Sequence, residues 1–269
     1  MSIPSRILAL LLVLGLAALA YVMILMPPNN PDAFALARER EARHQAHRLG
    51  TPLPGAEVMT ETLEARLART GFKLGQPIFV RIYKLSFELE VWIKRGDTFA
   101  LFATYPICNF SGQLGPKLRS FDRQSPEGIY QITARQLNPA SRWHRAFNLG
   151  FPNAFDKAKG RTGSYLMVHG GCSSIGCYAM TNPAIDDLFT LARSALAAGQ
   201  PSFQVQALPF RFTEDALTTR SGNTNGDFWA ELKPISDAFD TTHQPPEVAV
   251  CNGHYSLARR GGAASCQKI

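Results

Sequence analysis

The sequence predicts a β-rich α+β fold with peripheral helices, carried behind an apolar N-terminal helix. Three observations predict it. Residues 85–94 alternate apolar and polar side chains, the period of a half-buried strand. Short strand-like runs punctuated by Gly and Pro continue to Val168, and a capped amphipathic helix follows from Asn182. With 269 residues, 45% hydrophobic and 18% charged, the chain can bury one sizeable core with elaborations. Its formal net charge of +7 comes from scattered Lys and Arg without interleaved aromatics, which argues against a nucleic-acid groove and is compatible with an anionic polymer or lipid surface.

Taken in order, Ile7 to Met26 are uncharged and mostly apolar behind Arg6, and at about 1.5 Å per residue they have the length to span a bilayer. The segment reads as an export signal or an anchor: Ala18-Leu19-Ala20 has the form of a cleavage site, yet the apolar run continues to Met26. Arg6 on the inner side places the remainder across the cytoplasmic membrane. Asn30 and Pro31 then read as the cap and first position of a helix reaching Leu49, in which His44 and His47 lie on a charged, solvated face. A second helix is predicted from Glu61 to Arg69, stopped by Gly71.

From Pro77 the period becomes that of strands. The run from Leu85 to Lys94 turns at Arg95-Gly96-Asp97 into Thr98 to Ile107. Gly112 to Gly128 is loop, and strands resume at Ile129–Thr133, Arg145–Asn148 and Tyr165–Val168. Asn182 caps the next helix, Pro183 opens it and Gly199 ends it; a strand at Phe203–Leu208, a helix at Asp227–Phe239 and a Gly-rich tail complete the chain. The organisation expected is a signal or anchor at 1–26, a helical lead-in at 27–76, a catalytic domain at 77–212 and an extension at 213–269.

Chemistry concentrates in Tyr165 to Asn182, where a short apolar strand runs into H-G-G-C-S-S-I-G-C. His169 opens this Gly- and Ser-rich turn and Cys177 closes it. A thiolate attacks acyl carbon, and a nearby histidine supplies both the base and a cation that favours the thiolate. The Gly176 and Cys177 amides are candidate donors to a tetrahedral oxyanion. Two other chemistries fit the same residues. His169, Cys172 and Cys177 with Cys251 and His254 could ligate zinc, although the spacing lacks paired Cys-x2-Cys. Cys172 and Cys177 could also form a local disulfide in an exported binding module. Of the five cysteines, Cys251 and Cys266 are expected to pair and Cys177 to stay free; Cys172 could join Cys108, join Cys177 or simply pack.

His169 to Met180, together with L-G-P-K-L at Leu114–Leu118, S-P-E-G-I-Y at Ser125–Tyr130 and the segment from Phe147 to Gly170, resembles the L,D-transpeptidase (YkuD) catalytic domain family, in its YafK-like branch. The resemblance covers about Pro77 to Leu208. It implies a β-sandwich whose two sheets cradle the catalytic Cys, with Ser174, Gly176 and Cys177 on the family's Ser-x-Gly-Cys core and His169 on its upstream histidine. Ile175 and Tyr178-Ala179 depart from the general pattern and are shared by the branch. The implied activity is metal- and cofactor-independent acyl transfer at meso-diaminopimelate of peptidoglycan stem peptides, in the periplasm. Hydrolysis of the link to the Lys of an attached outer-membrane lipoprotein stands ahead of transpeptidation, and an exported non-catalytic wall-binding or zinc-stabilised module is the alternative of another class. Lys117 and Arg161, cations in Gly-rich loops, are candidates for the diaminopimelate carboxylates. Tyr178 either packs behind Cys177 or lines the site.

Overall fold

A computed structural model describes residues 12–16, 32–257 and 266–269. Residues 12–16 are helical; the rest of the apolar segment from Ile7 to Met26, and the cap expected at Asn30 and Pro31, lie outside the described residues. Among the described residues no helix is long and apolar enough to cross a membrane. Two helices lead in: α1, Ala33–Leu49, and α2, Leu63–Thr70. Thr62 caps α2 by accepting the Ala65 N–H, and Gly71 ends it in the left-handed conformation that Gly adopts without a Cβ clash.

Two five-stranded sheets follow. The first has the order β3-β2-β1-β10-β5, with β1 Ile78–Tyr83, β2 Glu88–Arg95, β3 Thr98–Pro106, β5 Gly128–Ile132 and β10 Phe203–Leu208. The second has the order β4-β9-β8-β7-β6, with β4 Asn109–Phe110, β6 Leu137–Ser141, β7 His144–Asn148, β8 Met167–His169 and β9 Tyr178–Ala179. One hydrophobic core joins them: Val80, Ile82 and Val205 of the first sheet pack in the same cluster as Phe147, Val168 and Tyr178 of the second. Phe147 and Phe203 meet edge-to-face across it at 5.6 Å. Helices lie around the sheets: α3 Ala154–Ala158, α4 Asn182–Ala197, α5 Glu214–Thr219 and α6 Gly226–Thr242.

The structure corrects the sequence reading in three places. Residues 84–87 form a turn, closed by Phe87 N–H donating to Lys84 O, so the strand expected from Leu85 begins at Glu88. The central strand β1 precedes it; all six of its residues are buried, so it shows no alternation to read. Thr181, one residue before Asn182, caps α4 by accepting the Ala184 N–H. The C-terminal tail forms a third, antiparallel sheet, β12-β11-β13, from Val248–Cys251, His254–Leu257 and Cys266–Lys268. Its central strand β11, Val248–Cys251, is fastened to the edge strand β13 by the Cys251–Cys266 disulfide, the pairing expected from sequence.

Beneath the loop of residues 112–128 lies an ion pair with no solvent exposure. Lys84 Nζ is 3.0 Å from Glu127 Oε1 and donates to Gly115 O at 2.8 Å. Glu127 also accepts from Gly115 N at 2.7 Å and from the α6 residue Trp229 through Nε1 at 3.0 Å. Burial pushes the Lys84 ammonium below its ordinary range and the Glu127 carboxylate opposes that shift. Glu127→Ala leaves a buried cation without its counter-charge, which costs about 3–5 kcal/mol. Urea unfolding is expected to show that loss as a lower midpoint, with a smaller loss in Glu127→Gln, which keeps an acceptor oxygen.

Candidate active site

The site is built on the parallel pairing of β8 with β9, in which Val168 lies opposite Tyr178 and His169 opposite Ala179. Side chains alternate across a strand, so Val168 and Tyr178 enter the core while His169 and the residue before β9, Cys177, share the other face. The register is visible at the sulfur. Met167 N–H points to Cys177 Sγ at 3.4 Å, and Sγ lies 3.7 Å from Tyr165 O. Tyr165, at φ 55°, ends the preceding loop with its ring exposed, so the strand is shorter than the Tyr165–Val168 run the sequence suggested.

Cys177 is the free thiol among the described residues, as expected. His169 is buried, with Nδ1 2.5 Å from Gly170 O. A carbonyl oxygen can only accept, so Nδ1 carries the proton and the neutral ring leaves its lone pair on Nε2. Burial lowers the His169 pKa below 6.5, with the Gly170 bond opposing. Burial also raises the Cys177 pKa above 9.0, against the Met167 N–H and the charge of Lys117. Burial thus favours the neutral form of each group, thiol and imidazole.

The loop between them is fixed at each turn. Gly171 N–H donates to Asn182 Oδ1 at 3.0 Å and Cys172 N–H to Met180 O at 3.2 Å. A Cβ on Gly170 would stand 2.6 Å from Asn182 Oδ1, and one on Gly171 would stand 3.2 Å from the Trp143 ring. The two glycines of H-G-G are thus required by close approach. Cys172 is tied to Cys108 beside β4, which selects one of its three expected fates. The zinc grouping is excluded for these residues, because Cys172 and Cys251 are each in a disulfide with another partner. His47 brings a ligand nitrogen within 4.8 Å of the Cys108 and Cys172 sulfurs, which as a disulfide offer no thiolate.

Ser174 organises the turn before Cys177. Its Oγ accepts from Gly176 N at 3.2 Å and Cys177 N at 3.0 Å, and it donates to Cys177 O at 2.7 Å. The two amides expected to hold an oxyanion are therefore bonded inside the loop. Ser125 Oγ also donates to Cys177 O at 2.7 Å, and Ser111 Oγ lies 2.8 Å from Ser174 Oγ. Ser111 and Ser125 were not singled out from sequence; Ser125 stood inside S-P-E-G-I-Y, where nothing but its small hydroxyl beside Pro marked it.

The other candidates are placed as follows. Lys117 is buried with its charge felt by Cys177, but its ammonium is bonded to Asp122 and to Arg119 O. Arg161 is buried between Phe155 and Phe228 and bonds Asp156 at 2.8 Å, which fills its role structurally. Tyr178 has no exposure and donates to Pro126 O at 2.6 Å, so it packs behind Cys177 and does not line the candidate site. Trp143, which sequence reasoning passed over, places its ring 5.9 Å from that of His169.

Residues 88–203 match the YkuD family, described as the L,D-transpeptidase catalytic domain. The chain is 46% identical over 186 residues to proteins of Escherichia coli strain K12 and of Escherichia coli O157:H7, each named "Putative L,D-transpeptidase YafK", covering 69% of this chain and 76% of theirs. The crystal structure of the helical cell shape determining protein Pgp2 from Campylobacter jejuni is 18% identical, with a TM-score of 0.40, covering 70% of this chain and 79% of that one.

Two outcomes follow from this geometry. Ser174→Ala removes bonds to both ends of the Cys177 peptide unit, each worth about 0.5–1.5 kcal/mol. Turnover is expected to fall about 10- to 100-fold, with KM little changed, as steady-state kinetics would show. The pH profile of kcat/KM should rise through a His169 pKa below 6.5, since the base must be neutral. Alkylation of Cys177 by iodoacetamide should accelerate only towards pH 9 and above, where the thiolate forms.

Proposed function

The chain belongs to the L,D-transpeptidase (YkuD) catalytic domain family and acts on peptidoglycan, and from that premise we propose that it is a periplasmic cysteine amidase that cleaves the bond between diaminopimelate and the Lys of an attached lipoprotein. The observation that carries the reading is the free, half-buried Cys177 on the same sheet face as a histidine whose Nε2 lone pair is uncommitted. A thiol and an imidazole are sufficient for acyl transfer.

In the proposed cycle the Cys177 proton passes to His169 Nε2 as sulfur attacks the acyl carbon of diaminopimelate. The carbon–nitrogen bond breaks, the departing amine takes the proton from His169, and an acyl-enzyme remains. Water then adds, giving its proton to His169, and the thiol is released with its proton restored. Ser174 and Ser125 hold the Cys177 carbonyl throughout, which keeps the sulfur at the register set by β8. The apolar segment from Ile7 to Met26 is proposed to export the enzyme and to hold it at the inner membrane.

A second reading is transpeptidation, in which an amine takes the place of water; the name of the Escherichia coli relatives favours it. Incubating the full chain and its Cys177→Ala variant with sacculi carrying covalently attached lipoprotein distinguishes the two by mass spectrometry. Free lipoprotein ending in an unmodified Lys is the expected product, at a level Cys177→Ala lowers at least about 1,000-fold. New cross-links in place of released protein would establish the second reading, and equal products from both proteins would overturn both.

A further inference from the structure

The tip of the β6–β7 hairpin stands beside the general base. Ser141 pairs with His144, leaving Arg142 and Trp143 as the two-residue loop, and Ser141 Oγ accepts from Trp143 N at 3.1 Å. The hairpin continues directly into the catalytic strand, because Ala146 lies opposite His169 and Gly170 N–H donates to Arg145 O at 3.2 Å. It is fastened on its other side to the start of α4. Asp186 meets His144 Nε2 at 2.8 Å and Arg145 Nη1 at 3.1 Å. The tip is therefore a preorganised platform on rigid elements.

What that platform presents is an indole and a cation. Trp143 seats one part of its ring against Gly171 and lies 5.9 Å from the His169 ring, while 40% of it remains exposed. The Arg142 guanidinium stacks 5.4 Å from the Trp143 ring, is exposed, and among the described residues has no carboxylate partner. The neighbouring guanidinium of the hairpin, Arg145, is already paired with Asp186. The cations first expected to read substrate carboxylates, Lys117 and Arg161, are both buried and bonded to acidic partners.

Resting on the reading above, we infer that Arg142 and Trp143 form the subsite for the amine side of the scissile bond, recognising an amine whose own residue carries a free carboxylate. The base that protonates the departing nitrogen is His169, so the group attached to that nitrogen leaves along the hairpin. An aliphatic chain of a few carbons between amine and carboxylate lies well on an indole face, and guanidinium pairs with carboxylate through two parallel N–H donors. A terminal lysine acylated at its ε-nitrogen has this composition. Arg142 is a specificity-determining residue here; it does not touch the reacting atoms.

Two ligands test it: a peptide whose diaminopimelate carbonyl acylates the ε-nitrogen of lysine, with the lysine α-carboxyl free or converted to the carboxamide. The full chain is expected to prefer the free carboxylate by about tenfold or more in kcat/KM. Arg142→Gln is expected to bring that ratio towards one, and Trp143→Ala to weaken both ligands. Arg123→Gln, on the loop of residues 112–128, is expected to keep the ratio. Calorimetric binding of both ligands to Cys177→Ala reads the same preference without turnover, so a protein that binds with the preference but cleaves neither ligand defeats the amidase reading and supports the subsite. No preference in either measurement, no binding of either ligand, or a ratio lost in Arg123→Gln and kept in Arg142→Gln overturns the subsite.

Discussion

The parallel pairing of β8 with β9 is the constraint on which the site depends, and it is short. β8 has three residues and β9 two, too few to hold a register by ladder bonds alone. The surrounding chain supplies what the ladder lacks. Met180 N–H returns to His169 O, Cys172 N–H to Met180 O, and Asn182 Oδ1 takes Gly171 N–H, so the loop from His169 to Asn182 closes on itself. The Cys108–Cys172 disulfide adds a covalent fastening to the neighbourhood of β4, and two serine hydroxyls converge on the Cys177 carbonyl. A slip of one residue would turn Cys177 into the core and Tyr178 out of it, which the Tyr178 bond to Pro126 also opposes.

Burial sets the chemistry of the pair that this register brings to one face. A thiolate–imidazolium pair formed at rest would need its charges satisfied where water is scarce, and desolvation pushes both groups towards their neutral forms. Lys117 opposes this only in part, because Asp122 lies against its ammonium. Charge therefore develops when an acyl carbon is present to receive the sulfur, not before. The cost of that arrangement is a less reactive resting thiol, and its gain is resistance to unproductive alkylation and oxidation.

Cys177 and His169 stood out in the sequence because thiol–imidazole chemistry needs a few residue types and the chain packs them within nine positions. The β2–β3 hairpin was legible through the alternation of its first strand and the turn at Arg95-Gly96-Asp97, whereas β6 was not anticipated. β1 was not, since a strand buried on both faces has no period of two. Lys117 and Arg161 were misread because a cation in a Gly-rich loop looks the same whether it faces a cleft or a buried acid. The acids were five residues away in each case, Asp122 after Lys117 and Asp156 before Arg161, and that spacing was a usable signal. Trp143 carried none, because it reaches His169 from a hairpin loop 26 positions earlier, through a register that only the fold defines.

The residues expected as a C-terminal extension, 213–269, brace the candidate site from outside the expected catalytic domain. Trp229 of α6 donates to Glu127 beneath the loop of residues 112–128, and that loop carries Lys117 and Ser125. Tyr255 of β12 stacks on Phe155 at 4.1 Å, accepts the Ile129 N–H, and so packs against the strand that begins just after Glu127. Lys84, Glu127 and Trp229 then form a chain of buried polar contacts from the central sheet to the C-terminal helix, each member satisfied by the next. Since Ser125 lies two residues from Glu127 and bonds the Cys177 carbonyl, displacement of α6 would reach Cys177 through two hydrogen bonds and the backbone between them. Trp229 and Tyr255 are thus part of the mounting of the candidate site.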